Sequence, residues 1–518
     1  MDKRVGVADL VLMASAAFAI VWATARAHVQ SITVDEADSY LIWVARAASS
    51  HWTAASNNHV LNSLLTRFFT TVFGVSHLSV RAPALLGAAM YVLAACYVCR
   101  LLTADHRLRW PLFVCLVYNP FVFDYLVEAR GYGLALGFVM SAIAAAAYTL
   151  KQHAAGRPVS VSTCCVACST LVALSFASNF SFGFANTATL LMIFVGACST
   201  LTRPQHDRKD KLKECARLLA ACTVPGLVIT LFLSASVVLS WPKGQLWYGA
   251  KSMRETVSSI TEASLYQLNP HIVNPLLYPI LARTAPILLW GLGVMGIGQV
   301  FLVFRNRRML PDGHGRWLIR FGGMLAAILA LSLAVHWLSF RFFGLLLPRE
   351  RTALYVPPLC VLILGAAAAV PVLSRWQALW RRGLVGMLFI VGVYFLLCLR
   401  LTYFKEWRWN ADVKHVYTVL SCCNQSYGLK QIPAGWLYVA PLNFYRQLGG
   451  QAIDEFAFTP AYPVDRQAYV LQYTFDHGFI EEHGLKIVFQ GQSTDVVVAV
   501  RPELETASRN CAAGVPGR

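Results

Sequence analysis

The sequence predicts an all-α polytopic membrane domain of about eleven transmembrane helices, N-terminus inside and C-terminus outside. Interfacial helices are expected in its first outside loop, and a small C-terminal α/β extracytoplasmic domain follows it. Three observations predict this. Of 518 residues, 57% are hydrophobic and only 14% are charged, whereas about a quarter of a soluble chain is charged. The apolar residues come in blocks of about 17 to 25, long enough for helices to cross a hydrocarbon core of roughly 30 Å. The net charge of +18 sits largely in short gaps between those blocks, where basic residues act as a topology signal. A string of compact soluble domains is thereby excluded, and the basic balance is no nucleic-acid footprint.

The blocks fall at 8–28, 82–102, 111–127, 131–150, 161–178, 183–201, 217–240, 284–304, 321–340, 353–373 and 383–401. With the N-terminus inside, the groups Lys3-Arg4, Arg100 to Arg109, Lys209 to Arg217, Arg305 to Arg308 and Arg381-Arg382 all fall in inside segments. The longer outside loops hold fewer cations, which fixes the orientation by the positive-inside rule. Lys3 and Arg4 before an alanine-rich run also suit a signal peptide, but the near-spanning length of that run favours a crossing helix. Residues 1–401 are then the membrane domain and 402–518 the outside domain, the one outside segment large enough to fold as such.

Within the tail, 435–440, 468–473 and 495–500 read as short strands. Most of the 14 cysteines lie in or beside apolar blocks and count as small hydrophobes. Cys164, Cys165 and Cys168 include a CxxC spacing but lack a nearby histidine. Cys422, Cys423 and Cys511 lie in the tail, where an oxidising compartment would allow one disulfide and leave at least one thiol over.

Chemistry is first expected just beyond helix one, where Asp35, Glu36 and Asp38 place three carboxylates within four residues. Neighbouring Asp35 and Glu36 point in different directions on any regular backbone, so one can act on a substrate while the other supports the loop. A carboxylate at the membrane edge is partly desolvated, which raises its pKa and makes it a better base toward a hydroxyl. A merely solvated acidic loop is the plainer alternative. No cofactor is required by the sequence, although these three carboxylates could bind a divalent cation. Downstream, Tyr40–Ala48 and the apolar stripe from Val60 to Phe73 read as helices lying in the interface plane. Asn58 and His59 open the second of these, where they would hydrogen-bond a sugar or phosphate, or serve as structural interfacial groups.

Two further clusters put charge where the environment opposes it. Asp124, Glu128 and Arg130 join two apolar spans almost without a loop, with Tyr132 following. Such groups near membrane depth usually face a cavity or one another. Arg349 and Arg351 precede the tenth span, with Tyr355 one turn on. A planar guanidinium donates two parallel hydrogen bonds and suits a fixed phosphate, or else a lipid headgroup. Lys243 with Trp241, Trp247 and Tyr248 would join the same pocket or form an ordinary interfacial belt.

With these residues in hand, the chain resembles the GT-C superfamily of integral-membrane glycosyltransferases, in particular the bacterial relatives of protein O-mannosyltransferases and aminoarabinose transferases. Four stretches carry the resemblance: Asp35-Glu36, Asn58-His59-Val60-Leu61-Asn62 through Phe73-Gly74 to Ser79-Val80-Arg81-Ala82-Pro83, Glu128-Ala129-Arg130-Gly131-Tyr132, and Arg351 with Tyr355 and Pro357. The resemblance implies a sugar donor on a polyprenyl phosphate and a cell-envelope acceptor (glycan, lipid or protein) at the outer face of a bacterial cytoplasmic membrane. It also implies Asp35 as the base. Arg130 and Arg351, with Arg349 and Lys243, would hold the donor phosphate, and Glu36 or Glu128 would orient substrate or arginine. The sequence departs from the family pattern at Val60, where proline often follows the histidine, and at Thr352, where tyrosine often follows the arginine. A polytopic transporter or flippase for a lipid-linked or anionic substrate is the competing reading of the buried charges, and a membrane scaffold leaves them unexplained.

Overall fold

The computed structural model describes residues 6–47, 49–199, 208–240, 242, 244–310 and 314–514. They form two compact units: Met1–Thr24, Ala54–Asn62 and Pro83–Leu399 make the first, and Ala25–Thr53, Ser63–Ala82 and Arg400–Arg518 the second. The tail is therefore grouped with most of the first outside loop.

Hydropathy dictates the first unit. Among the described residues, ten helices are long and apolar enough to cross a membrane. They are α1 (Val7–Val29), α4 (His77–Leu102), α7 (Tyr132–Ala154), α8 (Val161–Ser178), α9 (Gly183–Ser199), α10 (Arg208–Leu233), α13 (Tyr278–Asn306), α14 (His314–Phe343), α15 (Val356–Ala369) and α16 (Arg375–Leu397). Shorter helices lie between them: α2 (Val34–Asp38), α3 (Val60–Phe73), α5 (His106–Val117), α6 (Pro120–Tyr125), α11 (Ala235–Ser240) and α12 (Met253–Ser264).

The span expected at 111–127 is broken into α5 and α6 at Tyr118-Asn119. Pro120 is the cause, because its ring disfavours helical dihedrals at the preceding residue. Asn119 takes an extended ψ of 121° and its side chain caps α6 by accepting from the Phe121 N–H. The broken stretch still traverses the unit. At one face the Arg109 guanidinium pairs with Asp9 at 2.7 Å and Arg381 with Asp105 at 2.8 Å. Helix α7 leaves Arg130 and returns to this face, where the Lys151 ammonium donates to the Leu101 carbonyl at 2.6 Å. The chain from Asp105 to Arg130 must therefore run the opposite way across. Since Asp9 opens α1 and Arg381 lies near the start of α16, the far end of α16 at Leu397 lies at the face opposite the start of α1.

Helices α4 and α7 approach through glycines. A Cβ on Gly87 would run into the Gly133–Leu134 backbone, and one on Gly137 would meet the Gly87 carbonyl at 2.5 Å. Small residues let backbones meet this closely where lipid offers no hydrophobic drive to association.

In the second unit the tail contributes α17 (Val413–Tyr427), α18 (Trp436–Leu448), β1 (Ala468–Gln472), α19 (Tyr473–Glu482), β2 (Lys486–Gln490), β3 (Val496–Val500) and α20 (Glu505–Ala513). The sheet is antiparallel with order β1-β3-β2. Alternate residues Tyr469, Leu471, Val497 and Ala499 pack with Ile480 and Leu485 on one face, the two-residue period of a strand made visible. Cys422 of α17 and Cys511 of α20 form a disulfide with their Cα atoms 5.7 Å apart, which leaves Cys423 a buried thiol.

Strands were expected at 468–473 and 495–500, and form there, but 435–440 lies in helix α18 instead. Six residues were too short a window: the buried set Tyr438, Leu442 and Tyr445 repeats at helical spacing over the longer segment. Pro441 inside α18 cannot donate to the Leu437 carbonyl. Asn410 does so in its place, through Nδ2 at 2.8 Å.

Candidate functional site

The first-loop carboxylates lie in the second unit, on the short helix α2. Thr33 caps it, accepting from the Glu36 N–H at 3.2 Å while Glu36 Oε2 accepts from the Thr33 N–H at 3.0 Å. This reciprocal capping box satisfies two otherwise orphaned backbone donors. A third, the Val34 N–H, donates to Asn410 Oδ1 at 2.9 Å, so the residue that repairs the Pro441 break also anchors α2.

Glu36 is fully buried and pairs with the equally buried Arg81, 2.7 Å from Nη2. Arg81 spends its five N–H donors on five contacts: two to Glu36 and one each to the carbonyls of Ala27, Gln30 and Ser31. The Glu36 carboxylate is thus engaged with Arg81 and the Thr33 N–H inside the fold. Asp35, one residue earlier on α2, is only partly buried. Divergence of the neighbouring side chains, read from the sequence, thus separates a buried strut from an accessible carboxylate. Among the described residues no three His, Cys, Asp or Glu side chains form a group fit to hold a metal ion.

Where an amphipathic helix was expected from Tyr40 to Ala48, Ser39–Val44 forms a π-helical turn, and Ala48 lies outside the described residues. Carbonyls at the end of the turn and just beyond it are capped by Arg67 of α3, whose Nη2 donates to the Val44 carbonyl at 2.7 Å and the Ala47 carbonyl at 2.9 Å. Helix α3 itself occupies 60–73, as the apolar stripe predicts.

The second cluster belongs to the first unit. Asp124, Glu128 and Arg130 are all buried, in the last residues of α6 and the turn that leads into α7. Gly131 makes that turn feasible: its φ is +75°, and a Cβ there would collide with the Ser178 carbonyl. The Arg130 carbonyl and His59 Nε2 each lie 3.2 Å from the Asn179 side-chain amide nitrogen. Asn62 of α3 donates to the neighbouring Ala129 carbonyl at 3.2 Å. Asn58 is fully buried beside this segment in sequence, and His59 meets the rings of Tyr132 and Phe180 edge-on, with centroids 6.0 and 5.9 Å away.

Burial, reinforced by the charges of Arg130 and Arg351, holds the His59 imidazole well below its ordinary pKa, so the ring is neutral at physiological pH. Arg351 stacks over the Tyr248 ring at 4.3 Å, and Tyr248 donates to Glu350 at 2.6 Å. Glu350 holds a left-handed φ of 43°, a conformation uncommon for a residue with a side chain. Tyr355 is buried against Phe182. The charges of Arg130 and Arg351 thus both bear on the His59 imidazole, with Tyr132 against the ring.

Arg349 pairs with Glu255 at 3.1 Å in a partly exposed setting. Tyr248 leaves the interfacial belt for Arg351, while Trp247 stays exposed. Lys243 and Trp241 lie outside the described residues. Sequence reasoning missed Asn179, although an asparagine in the short break between two apolar spans was its available signal.

Buried polar atoms in this region without a hydrogen-bond partner include His59 Nδ1, Asn62 Oδ1 and the Tyr355 hydroxyl. Leaving such atoms unpaired is costly, and a bound ligand is one way to satisfy them.

No family model matches the chain, and no curated protein matches it. Among solved structures, it is similar to ArnT from Cupriavidus metallidurans bound to undecaprenyl phosphate, at 12% identity and a TM-score of 0.48, covering 96% of this chain and 98% of that one. The apo form of that protein gives 11% identity, the same TM-score and the same coverage. At that level the likeness identifies neither family nor substrate, and the chemistry below rests on the residues.

Proposed function

We propose that this chain is a polyprenyl-phosphate-dependent glycosyltransferase of the GT-C type, moving a sugar onto a cell-envelope acceptor at the outer face of a bacterial cytoplasmic membrane. One observation carries the reading: a buried, neutral His59 within electrostatic reach of the buried Arg130 and the partly exposed Arg351, with buried polar atoms in the same region lacking hydrogen-bond partners. Charged groups at membrane depth are costly unless they serve a pathway or a ligand. Two guanidiniums at such a depth suit a phosphate, which they bind through parallel hydrogen bonds.

In this reading Asp35 takes the proton of an acceptor hydroxyl, and the acceptor oxygen attacks the anomeric carbon. The bond from that carbon to the phosphate oxygen breaks, and polyprenyl phosphate departs with the electron pair. Arg130 and Arg351 neutralise the charge that develops on the leaving phosphate, where stabilisation accelerates the reaction. A single displacement inverts the anomeric centre. Glu128 orients the arginine side, and Asn58, Tyr132 and Tyr355 contact the sugar or the phosphate. The membrane confines the long lipid so that only the headgroup must be positioned. The domain from residue 402 onward helps to select the acceptor.

The same proposal places the N-terminus inside and the tail outside. The distribution of basic residues supports that orientation. The Cys422–Cys511 disulfide supports it independently, because such bonds persist in oxidising compartments.

The test is an in-membrane transfer assay with polyprenyl-phosphate sugars, comparing the native chain with Asp35→Asn. Loss of transfer at unchanged expression is expected, and full retention would sink the role given to Asp35. Counterflow in proteoliposomes with no glycosylated product would instead establish a transporter.

A further inference from the structure

Asn179 is fully buried in the break between α8 and α9, and its amide is oriented from both ends. Its side-chain oxygen accepts from the Ser181 N–H at 3.0 Å and from the Ser181 hydroxyl at 2.6 Å. Its amide nitrogen is then the end that faces the Arg130 carbonyl and His59 Nε2. The reversed amide would set an oxygen against the Arg130 carbonyl and an NH2 against the Ser181 N–H, so two repulsions exclude it.

The consequence runs through the ring. Because Asn179 donates to Nε2, that nitrogen must carry its lone pair, and a neutral imidazole then bears its proton on Nδ1. Nδ1 is buried and has no hydrogen-bond partner. The ring lies edge-on between Tyr132 and Phe180, and Nε2 is held by Asn179, so turning over would break a bond already made. What remains is an N–H donor, fixed in place, in the field of two arginines. The atom that completes it must be an acceptor, and the surrounding positive charge selects an anionic one.

We propose that His59 is a fixed neutral donor whose Nδ1–H binds a phosphate oxygen of the lipid-linked donor alongside Arg130 and Arg351, and that Asn179 is the positioning residue that sets this tautomer. The proposal rests on the reading of this cluster as a phosphate holder and deepens it. A neutral donor suits the place: a third cation would be repelled by the two guanidiniums, whereas an N–H adds a hydrogen bond without adding charge.

The test uses the full chain in lipid nanodiscs with a polyprenyl phosphate as probe. His59→Leu removes the donor and is expected to weaken binding roughly ten- to a hundredfold, the range for a hydrogen bond to a charged group. His59→Asn carries an amide nitrogen close to where Nδ1 stands, and is expected to keep affinity within about threefold, since a donor of the same kind is restored. Equal losses in the two variants, or none in His59→Leu, would overturn the proposal.

Asn179→Asp reverses the polarity at Nε2. The groups facing the ring are then Arg130, Arg351, Tyr132 and the new carboxylate, which accepts from Nε2 and favours the imidazolium. At high pH the neutral ring keeps its proton on Nε2, and the Nδ1 lone pair repels the phosphate. As pH falls the ring gains a second proton and binding returns. The ratio of variant to native affinity, which cancels ionisation of the lipid phosphate itself, is expected to rise toward acid. A flat ratio counts against the tautomer assignment.

Nitrogen-15 spectra of histidine-labelled protein, taken as the difference between the native chain and His59→Asn, read the tautomer directly. A proton on Nε2 in the native chain overturns the inference whatever the enzyme does. A proton on Nδ1 with the expected binding pattern, but no transfer from any polyprenyl-phosphate sugar, supports this inference while the glycosyltransferase reading fails.

Discussion

Two buried polar clusters in this chain use the same kinds of residue and end in opposite states. Around Arg81, five N–H donors meet five acceptors, and the Glu36 carboxylate also closes a capping box. Around His59, the imidazole has one nitrogen satisfied by Asn179 and the other left without a partner, with the Tyr355 hydroxyl and Asn62 Oδ1 in the same condition. Burial alone therefore does not distinguish structure from function. Satisfaction is what separates these two side chains: the Arg81 guanidinium is saturated and fixes the backbone around it, whereas the unpaired Nδ1 of His59 is the basis on which a bound ligand is proposed there.

The largest effect expected from this contrast is on chemistry at α2. Asp35→Asn should lower transfer by roughly a hundred- to ten-thousandfold, the usual contribution of a positioned acid or base, with thermal stability unchanged. If Asp35→Asn instead unfolds the chain, Asp35 belongs with the saturated cluster and the contrast is broken.

Glu36→Ala should act through stability. It leaves Arg81 buried without its counter-charge, which costs about 3–5 kcal/mol, read as a fall in midpoint temperature. The paired replacement of Glu36 by Leu and Arg81 by Met should recover only part of that loss, since it removes the unpaired charge but leaves the carbonyls of Ala27, Gln30 and Ser31 and the Thr33 N–H without partners. Recovery of transfer along with stability would show that Glu36 serves only to hold the loop.

A smaller effect is expected in the tail. Cys511→Ser removes the bond to Cys422 and should cost about 2–4 kcal/mol of tail stability. It also frees Cys422, which a membrane-impermeant maleimide should label from outside in intact cells. Labelling only after permeabilisation would reverse the proposed orientation.

The smallest concerns the two arginines that sequence reasoning treated alike. Arg349→Ala breaks a partly exposed pair with Glu255 and should cost less than about 1 kcal/mol, with near-native affinity for a polyprenyl phosphate. Arg351→Ala should weaken that affinity substantially, and equal effects in the two variants would erase the distinction between them.

Much of the membrane framework was legible because hydropathy is a local sum. Of the eleven apolar blocks, ten carry a helix long enough to cross a membrane and one is broken at Asn119-Pro120, a dipeptide visible in the sequence but overruled there by the apolar run around it. Helix α18 was read as a strand because a six-residue window cannot show the longer spacing of Tyr438, Leu442 and Tyr445. Asn179 went unread because an isolated amide between two spans has no local partner to give it meaning.

The sequence by itself determined the solvent, the apolar blocks and the few charges placed against their surroundings, since each follows from residue type over a short window. Tertiary structure alone decided which of those charges are satisfied. The reason is separation along the chain: Arg81 reaches Glu36 across 45 residues and Asn179 reaches His59 across 120. Whether a buried polar group is a strut or a binding group depends on partners that only the folded chain brings to it.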